Sequence, residues 1–264
     1  MKWMKRSAIG ALIVTLAACS QSPTGRSQLT LFSEEQLSEM GAQSFAQYEQ
    51  QLPVVGGQVN SYVQCVADAI TSQLNSGGAW EVKVFRDESA NAFALPGGHI
   101  GVNTGLLDVA TNQDQLAAVI GHEIAHVLAD HANERVSQQA ATQTGLSILQ
   151  AAAGLEGAGG QQLMGLLGAG AQYGILMPYS RKHESEADVV GLNLMARAGF
   201  DPRESIDLWQ SMSANSQGQP PVWMSSHPSH GQRIEGLQAQ MDEALELYRQ
   251  AQASGQTPNC QRPG

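Results

Sequence analysis

Val119-Ile120-Gly121-His122-Glu123-Ile124-Ala125-His126-Val127-Leu128 is the most informative stretch of this chain. Its small and apolar residues predict a buried helix, on which positions four apart share one face and lie about 6 Å apart along the axis. His122 and His126 can therefore present ring nitrogens to one metal ion, and zinc suits two imidazoles. Glu123, beside the first histidine, can reach a water activated by that ion and take its proton. Zinc lowers the pKa of such a water to about 7, so a carboxylate suffices as general base. Without such a role, His and Glu would be costly among these neighbours.

A catalytic zinc needs a third protein ligand and an open position. His131 is close, but in the metzincin pattern the third histidine falls six residues after the second and follows a Gly. Here the interval is five and no Gly intervenes, so His131 reads as a helix-end residue. Arg181-Lys182-His183-Glu184-Ser185-Glu186-Ala187-Asp188 offers a better donor. Glu184 and Asp188 are again four apart. Glu184 can complete a site of two histidines and one glutamate, and Asp188 can accept from a ligand's other ring nitrogen, fixing its tautomer. Glu186 reads as solvated.

Around these motifs the chain reads as mostly helical with one small sheet. Ser33 with Gln36 resembles a capping box, predicting a helix over 34–50. A second helix is expected over 58–75. Residues 80–85 alternate as a strand, and 91–95 and 99–103 flank the turn sequence Pro96-Gly97-Gly98 as a hairpin. Helix is expected from Asn112 through His131 and on to about Ala153. Residues 154–170 carry seven glycines. A helix, Gly hinge and returning helix suits them better than a transmembrane hairpin, because repeated Gln side chains nearby are costly in lipid. Further helices are expected over 181–198, from Asp201-Pro202 to about 212, and over 230–252, with a polar loop over 213–221.

The 264 residues carry 24 acidic and 14 Lys/Arg side chains, a net charge of −10, which argues against nucleic-acid binding. A mean hydropathy of −0.21 excludes a polytopic membrane protein. Three cysteines are too few for a disulfide scaffold. Lys2, Lys5 and Arg6 followed by an apolar run to Ala18 read as an export signal, and Leu16-Ala17-Ala18-Cys19 resembles a bacterial lipobox. Residues 1–18 are then a signal peptide, Cys19 a lipidation site anchoring the chain to a bilayer, and 19–32 a polar tether. Ser20 points to the outer membrane of a Gram-negative cell. That leaves Cys65 and Cys260, which an oxidising periplasm can join, tying the tail 253–264 to an early helix.

Asn91–Gly98, Thr104-Gly105-Leu106-Leu107, His122-Glu123-x-x-His126 and Glu184-x-x-Ala187-Asp188 occur in an order that resembles the HtpX and CAAX-prenyl-protease family of zinc metallopeptidases, and most of all its soluble periplasmic branch. The similarity covers about residues 33–250. It implies an α+β, mostly α, zincin-like metallopeptidase domain over 33–252 with a small sheet beside the active-site helix. It also implies one zinc ion on His122, His126 and Glu184, Glu123 as base, and Asp188 behind the ligands. Ala92, Phe93, Ala94 and Leu95 would form the edge on which an extended substrate adds as a strand. His227-Pro228 resembles a family element in which the histidine approaches the zinc, as a resting-state fourth donor or as oxyanion stabiliser; Arg233 would pair with Asp188 or the oxyanion. The chain departs from the family in lacking transmembrane helices around the motif and tetratricopeptide repeats after residue 250.

The expectation is thus a lipid-anchored zinc metalloendopeptidase facing the periplasm and cleaving misfolded or misassembled envelope proteins, with outer-membrane assembly machinery or other proteases as partners. The rival is a gated chaperone or assembly factor using the same groove.

Overall fold

The computed structural model describes residues 19–74, 79–152, 179–215, Trp223, His227 and 233–263. Residues 1–18, expected to be a signal peptide, the Gly-rich stretch 154–170 and most of the expected loop 213–221 lie outside the described residues. The fold is α+β and mostly helical.

Two short strands, β1 (Cys19–Gln21) and β2 (Ser27–Leu29), open the described chain as an antiparallel hairpin. Residues 19–29, read above as part of a tether, are therefore ordered against the domain. Gln28 donates to the Ala129 carbonyl at 2.6 Å, and Leu31 N donates to Ser137 Oγ at 2.8 Å. Helix α1 (Glu34–Gln51) starts at the expected capping box, with Ser33 and Gln36 satisfying each other's backbone N–H groups. Helix α2 (Gln58–Thr71) follows a two-residue strand, β3 (Val54–Val55).

Strands β4 (Glu81–Phe85), β5 (Ala92–Leu95) and β6 (His99–Asn103) complete a sheet of order β3-β4-β6-β5, in which β4 and β6 are parallel. The expected β5–β6 hairpin forms. Gly97 and Gly98 take φ of 92° and 84°, a region open to residues without a Cβ. β5 lies at one edge of the sheet, opposite β3. Ala92 and Ala94 face the main core, whereas Phe93 and Leu95 pack with Phe45 and Phe85 under α1.

Helix α3 (Thr104–Val109) leads into α4 (Gln113–Leu128), capped by the Asn112 side chain. α4 does not run through His131 as expected. Asp130 adopts φ 54°, a left-handed conformation that ends the helix, and α5 (His131–Ala152) starts anew. Helices α6 (Arg181–Arg197), α7 (Glu204–Asn215) and α8 (Arg233–Ala253) finish the fold. Among the described residues no helix is long and apolar enough to cross a membrane. Cys65 on α2 and Cys260 in the tail form a disulfide with a Cα–Cα distance of 5.7 Å.

The position of the site is set by the crossing of α4 and α6. A Cβ on Gly191 would lie 2.8 Å from His122 N, and one on Gly121 would lie 2.9 Å from Gly191 O. The two backbones therefore touch where only hydrogen fits. This contact brings the histidine face of α4 against the carboxylate face of α6.

Candidate metal centre and active site

His122 and His126 both project from α4, and Glu184 projects from the first turn of α6, where Ser180 caps the helix by accepting from His183 N. His227 joins them, its N–H donating to the Trp223 carbonyl at 2.8 Å. One donor atom from each of the four lies within 4.8 Å of the others, and all four side chains are buried. His126 Nε2 is 3.1 Å from His122 Nε2, and Glu184 oxygens lie 3.5 Å from each. His227 Nδ1 is 3.2 Å from His122 Nε2 and 3.1 Å from Glu184 Oε1.

Separations of this size are those of tetrahedral ligands each about 2.0–2.1 Å from a common centre. The donors also have suitable chemistry. Burial, then the charge of His122 and His227, pushes the His126 pKa well down, keeping its ring neutral. Although burial opposes it, hydrogen bonding to His122 and His227 holds the Glu184 carboxyl well below the usual carboxylate range. A neutral imidazole and a carboxylate anion are what a divalent cation requires. His122, by contrast, is raised to about 9, because Asp188 and Glu184 outweigh burial and Arg233. A cation seated among these donors would displace that proton. The group fits a metal.

Asp188 lies where the sequence places it, with Oδ1 3.1 Å from His122 Nδ1, the ring nitrogen turned away from the donor cluster. Arg233, on α8, donates to Asp188 Oδ1 at 2.5 Å and to Glu184 Oε2 at 3.1 Å. Its guanidinium lies 3.8 Å from the centre of the Trp209 ring. Glu123 flanks the donor group: its Oε1 is 3.4 Å from His227 Nε2 and accepts the Trp223 indole N–H at 2.6 Å.

Two expectations are corrected. Glu186 is not solvated; it is 5% exposed and accepts from Thr24 and Arg26. Those partners, with Ser22 and His131, hold its pKa at about 2 against the effect of burial. Nor does His131 merely end a helix. Its Nδ1 lies 2.8 Å from His126 Nδ1, its Nε2 lies 3.2 Å from Glu186 Oε2, and its ring stacks on His183 at 4.4 Å. Burial, then the His183 charge, pushes its pKa down to about 4.

The side chains of Ala92, Phe93, Ala94 and Leu95 are all buried in core contacts, and only Ala94 and Leu95 also border a small recess, with Pro96 and Tyr179. What β5 offers is its main-chain edge. Near the β5–β6 turn, a cleft of about 440 Å³ lined by Trp80, Pro96, Gly97, Asp130 and His126 reaches a residue of the donor group. Trp223 N donates to the Ala90 carbonyl at 3.1 Å, which ties Trp223 to the chain just before β5.

Sequence reasoning passed over Trp223 and Tyr179. The latter's ring stacks on His126 at 3.9 Å. The four-residue spacing of Trp223 and His227 is a helical-turn signal that links them; Tyr179 carries no comparable signal.

Residues 54–241 match the description "Peptidase family M48". The chain is 40% identical over 62% of its length to the mitochondrial metalloendopeptidase OMA1 of Schizosaccharomyces pombe, covering 48% of that protein. It is 33% identical over 85% of its length to the mitochondrial metalloendopeptidase OMA1 of Homo sapiens, covering 46% of that protein. Against the metalloprotease LoiP of Escherichia coli it is 27% identical over 67% of its length, covering 68% of that protein. The chain spans about half the length of the mitochondrial relatives it matches. These likenesses overturn the expected outer-membrane location, because the more similar relatives are mitochondrial proteases and the bacterial one is more distant. Nor do they place the chain in a periplasmic lipoprotein branch.

Proposed function

The chain belongs to peptidase family M48 and carries its metallopeptidase domain; from that premise we propose that it is a zinc-dependent endopeptidase. His122, His126 and Glu184 hold one zinc ion, and Glu123 is the general base. The observation that carries this reading is the buried convergence of those three donors with Glu123 at their side. Zinc, when bound, supplies a Lewis acid that makes water a competent nucleophile near neutral pH.

The chain's own residues do the rest. Glu123 takes a proton from the attacking water and delivers it to the leaving amine. Asp188 fixes the His122 ring, and Arg233 holds both Asp188 and Glu184 in place. An extended substrate pairs with the β5 edge by main-chain hydrogen bonds, which suits unfolded or misassembled polypeptides of varied sequence.

A second reading has an observation in its favour. His227 stands among the donors and Trp223 engages Glu123, an arrangement that blocks the fourth position. A chain held this way acts as a gated or rarely cleaving chaperone on the same groove.

The test follows degradation of a reduced, unfolded protein by the zinc-loaded chain and its Glu123→Gln variant. Cleavage by the first and zinc retention without cleavage by the second are expected; equal cleavage by both would remove Glu123 from the mechanism. Zinc binding without cleavage in the native chain supports the gated reading. His126→Ala is expected to lose the metal.

A further inference from the structure

We propose that the β1–β2 hairpin is part of the metal centre: Arg26, with Thr24, is a positioning residue that acts through Glu186 and His131 to make His126 present its Nε2 lone pair. This rests on His126 being a zinc ligand, as proposed above.

The argument is one of proton placement. A neutral imidazole has one N–H and one bare nitrogen. His126 Nε2 faces the donor group, so it must be bare and Nδ1 must carry the proton. That proton is received by His131 Nδ1 at 2.8 Å. The His131 proton must then sit on Nε2, where Glu186 Oε2 accepts it at 3.2 Å. Each ring state is fixed by the next, and the series ends on a carboxylate.

The opposite polarity fails at both ends. It would put the His126 proton on Nε2, closing that nitrogen to a metal. It would also leave a bare His131 Nε2 facing a carboxylate oxygen, acceptor against acceptor.

A carboxylate this deeply buried needs partners of its own. Glu186 Oε1 accepts from Thr24 Oγ1 at 2.6 Å and Thr24 N at 3.3 Å, and Oε2 accepts from Arg26 Nε at 3.0 Å. Arg26 Nη1 also pairs with Glu134 at 2.7 Å. Glu134 in turn accepts from Nε2 of His183, whose ring stacks on His131. One guanidinium thus steadies both the in-plane and the stacking partner of His131. It reaches them from a hairpin about 160 residues away in sequence. His122 needs no such help, because Asp188 sits on the same helix as Glu184.

The experiment measures the zinc dissociation constant of the full chain by chelator competition, together with ring ¹H–¹⁵N correlations of His131 in the zinc-loaded protein. Arg26→Met keeps the aliphatic stem and removes both ion pairs. It is expected to weaken zinc binding about 10- to 100-fold and to replace the single Nε2–H state of His131 by a mixture. Ser137→Ala removes the hydroxyl that accepts from Leu31 N, loosening the same segment without touching this series of bonds. It is expected to bind zinc as the native chain does.

Native affinity and an unchanged His131 spectrum in Arg26→Met would overturn the proposal. So would equal weakening in Ser137→Ala, which would show a general effect of docking. Should Arg26→Met not fold, Thr24→Val carries the same test with a smaller expected loss. Full zinc affinity in His126→Ala would sink the ligand assignment itself, whereas loss there with native affinity in Arg26→Met sinks the hairpin's role alone.

Discussion

His227 brings a fourth buried donor to a site that needs only three, and its Nδ1 stands 3.2 Å from His122 Nε2 where a substrate oxygen would have to enter. Three donors suffice to hold a catalytic zinc. The His227→Ala variant is therefore expected to retain the metal within about tenfold of native affinity and to degrade an unfolded substrate faster than the native chain. Loss of zinc as complete as in His126→Ala would make His227 an obligatory ligand. Slower cleavage with zinc retained would assign it to oxyanion stabilisation instead. At this scale, legibility depended on spacing. His122, His126, Glu184 and Asp188 were readable because four-residue intervals put them on helix faces. Glu186 was not, because an acidic residue at a helix start looks solvated until the partner that buries it, here Arg26, is known.

Between elements, the determining contact is the α4–α6 crossing at Gly121 and Gly191. A methyl group on Gly191 would meet backbone atoms of His122 and Gly121 at 2.8–2.9 Å, and backbone cannot swing aside as a side chain can. Gly191→Ala is expected to destabilise the fold by about 1–3 kcal/mol and to weaken zinc binding by moving Glu184 away from the histidines. Thermal unfolding of the metal-free chain and chelator competition measure the two effects separately. A variant with native values of both would show that the crossing tolerates wider spacing. The helix boundaries on either side were legible within a few residues from caps and apolar periodicity. The break at Asp130 was not, because no Gly or Pro marks it and the left-handed residue is an aspartate.

Over the whole molecule, two long-range ties close the fold. The Cys65–Cys260 disulfide spans 195 residues, and Arg262 donates to the Leu107 and Thr111 carbonyls beside it. Loop-closure entropy for a span of that length amounts to about 5 kcal/mol, so a reductant is expected to lower the melting temperature markedly. An unchanged melting curve with the disulfide fully reduced would show that the tail's hydrogen bonds suffice. The other tie is the N-terminal hairpin on Glu134. Burial raises the Glu134 pKa, but hydrogen bonding and charge from Arg26, with His183, lower it below the ordinary 4.5. The folded state thus binds this proton less readily than the unfolded one. Its contribution to stability is present above about pH 4.5 and is lost as pH falls through the lower folded value. Protease sensitivity of residues 19–31 is expected to rise over that range, and in Glu134→Gln to be high already at neutral pH. A flat profile in the native chain would dissociate hairpin docking from this pair.

The sequence by itself determined the chemistry and the fold class. His-Glu-x-x-His and Glu-x-x-x-Asp need only a helix to gather their donors, and a helix is a local structure legible from spacing. It also contained the β5–β6 hairpin, because Pro96-Gly97-Gly98 encodes its own turn. Asp188 and His227 were expected from the sequence, but only the tertiary structure decided which further residues stand behind the ligands and hold them. Arg26, His131 and Glu186 meet on one side of the donors and Trp223 meets Glu123 on the other, across roughly 55 to 160 residues of chain. No local period links them. They are brought together by the close α4–α6 crossing and by the docked hairpin, which exist only when distant segments exclude water together.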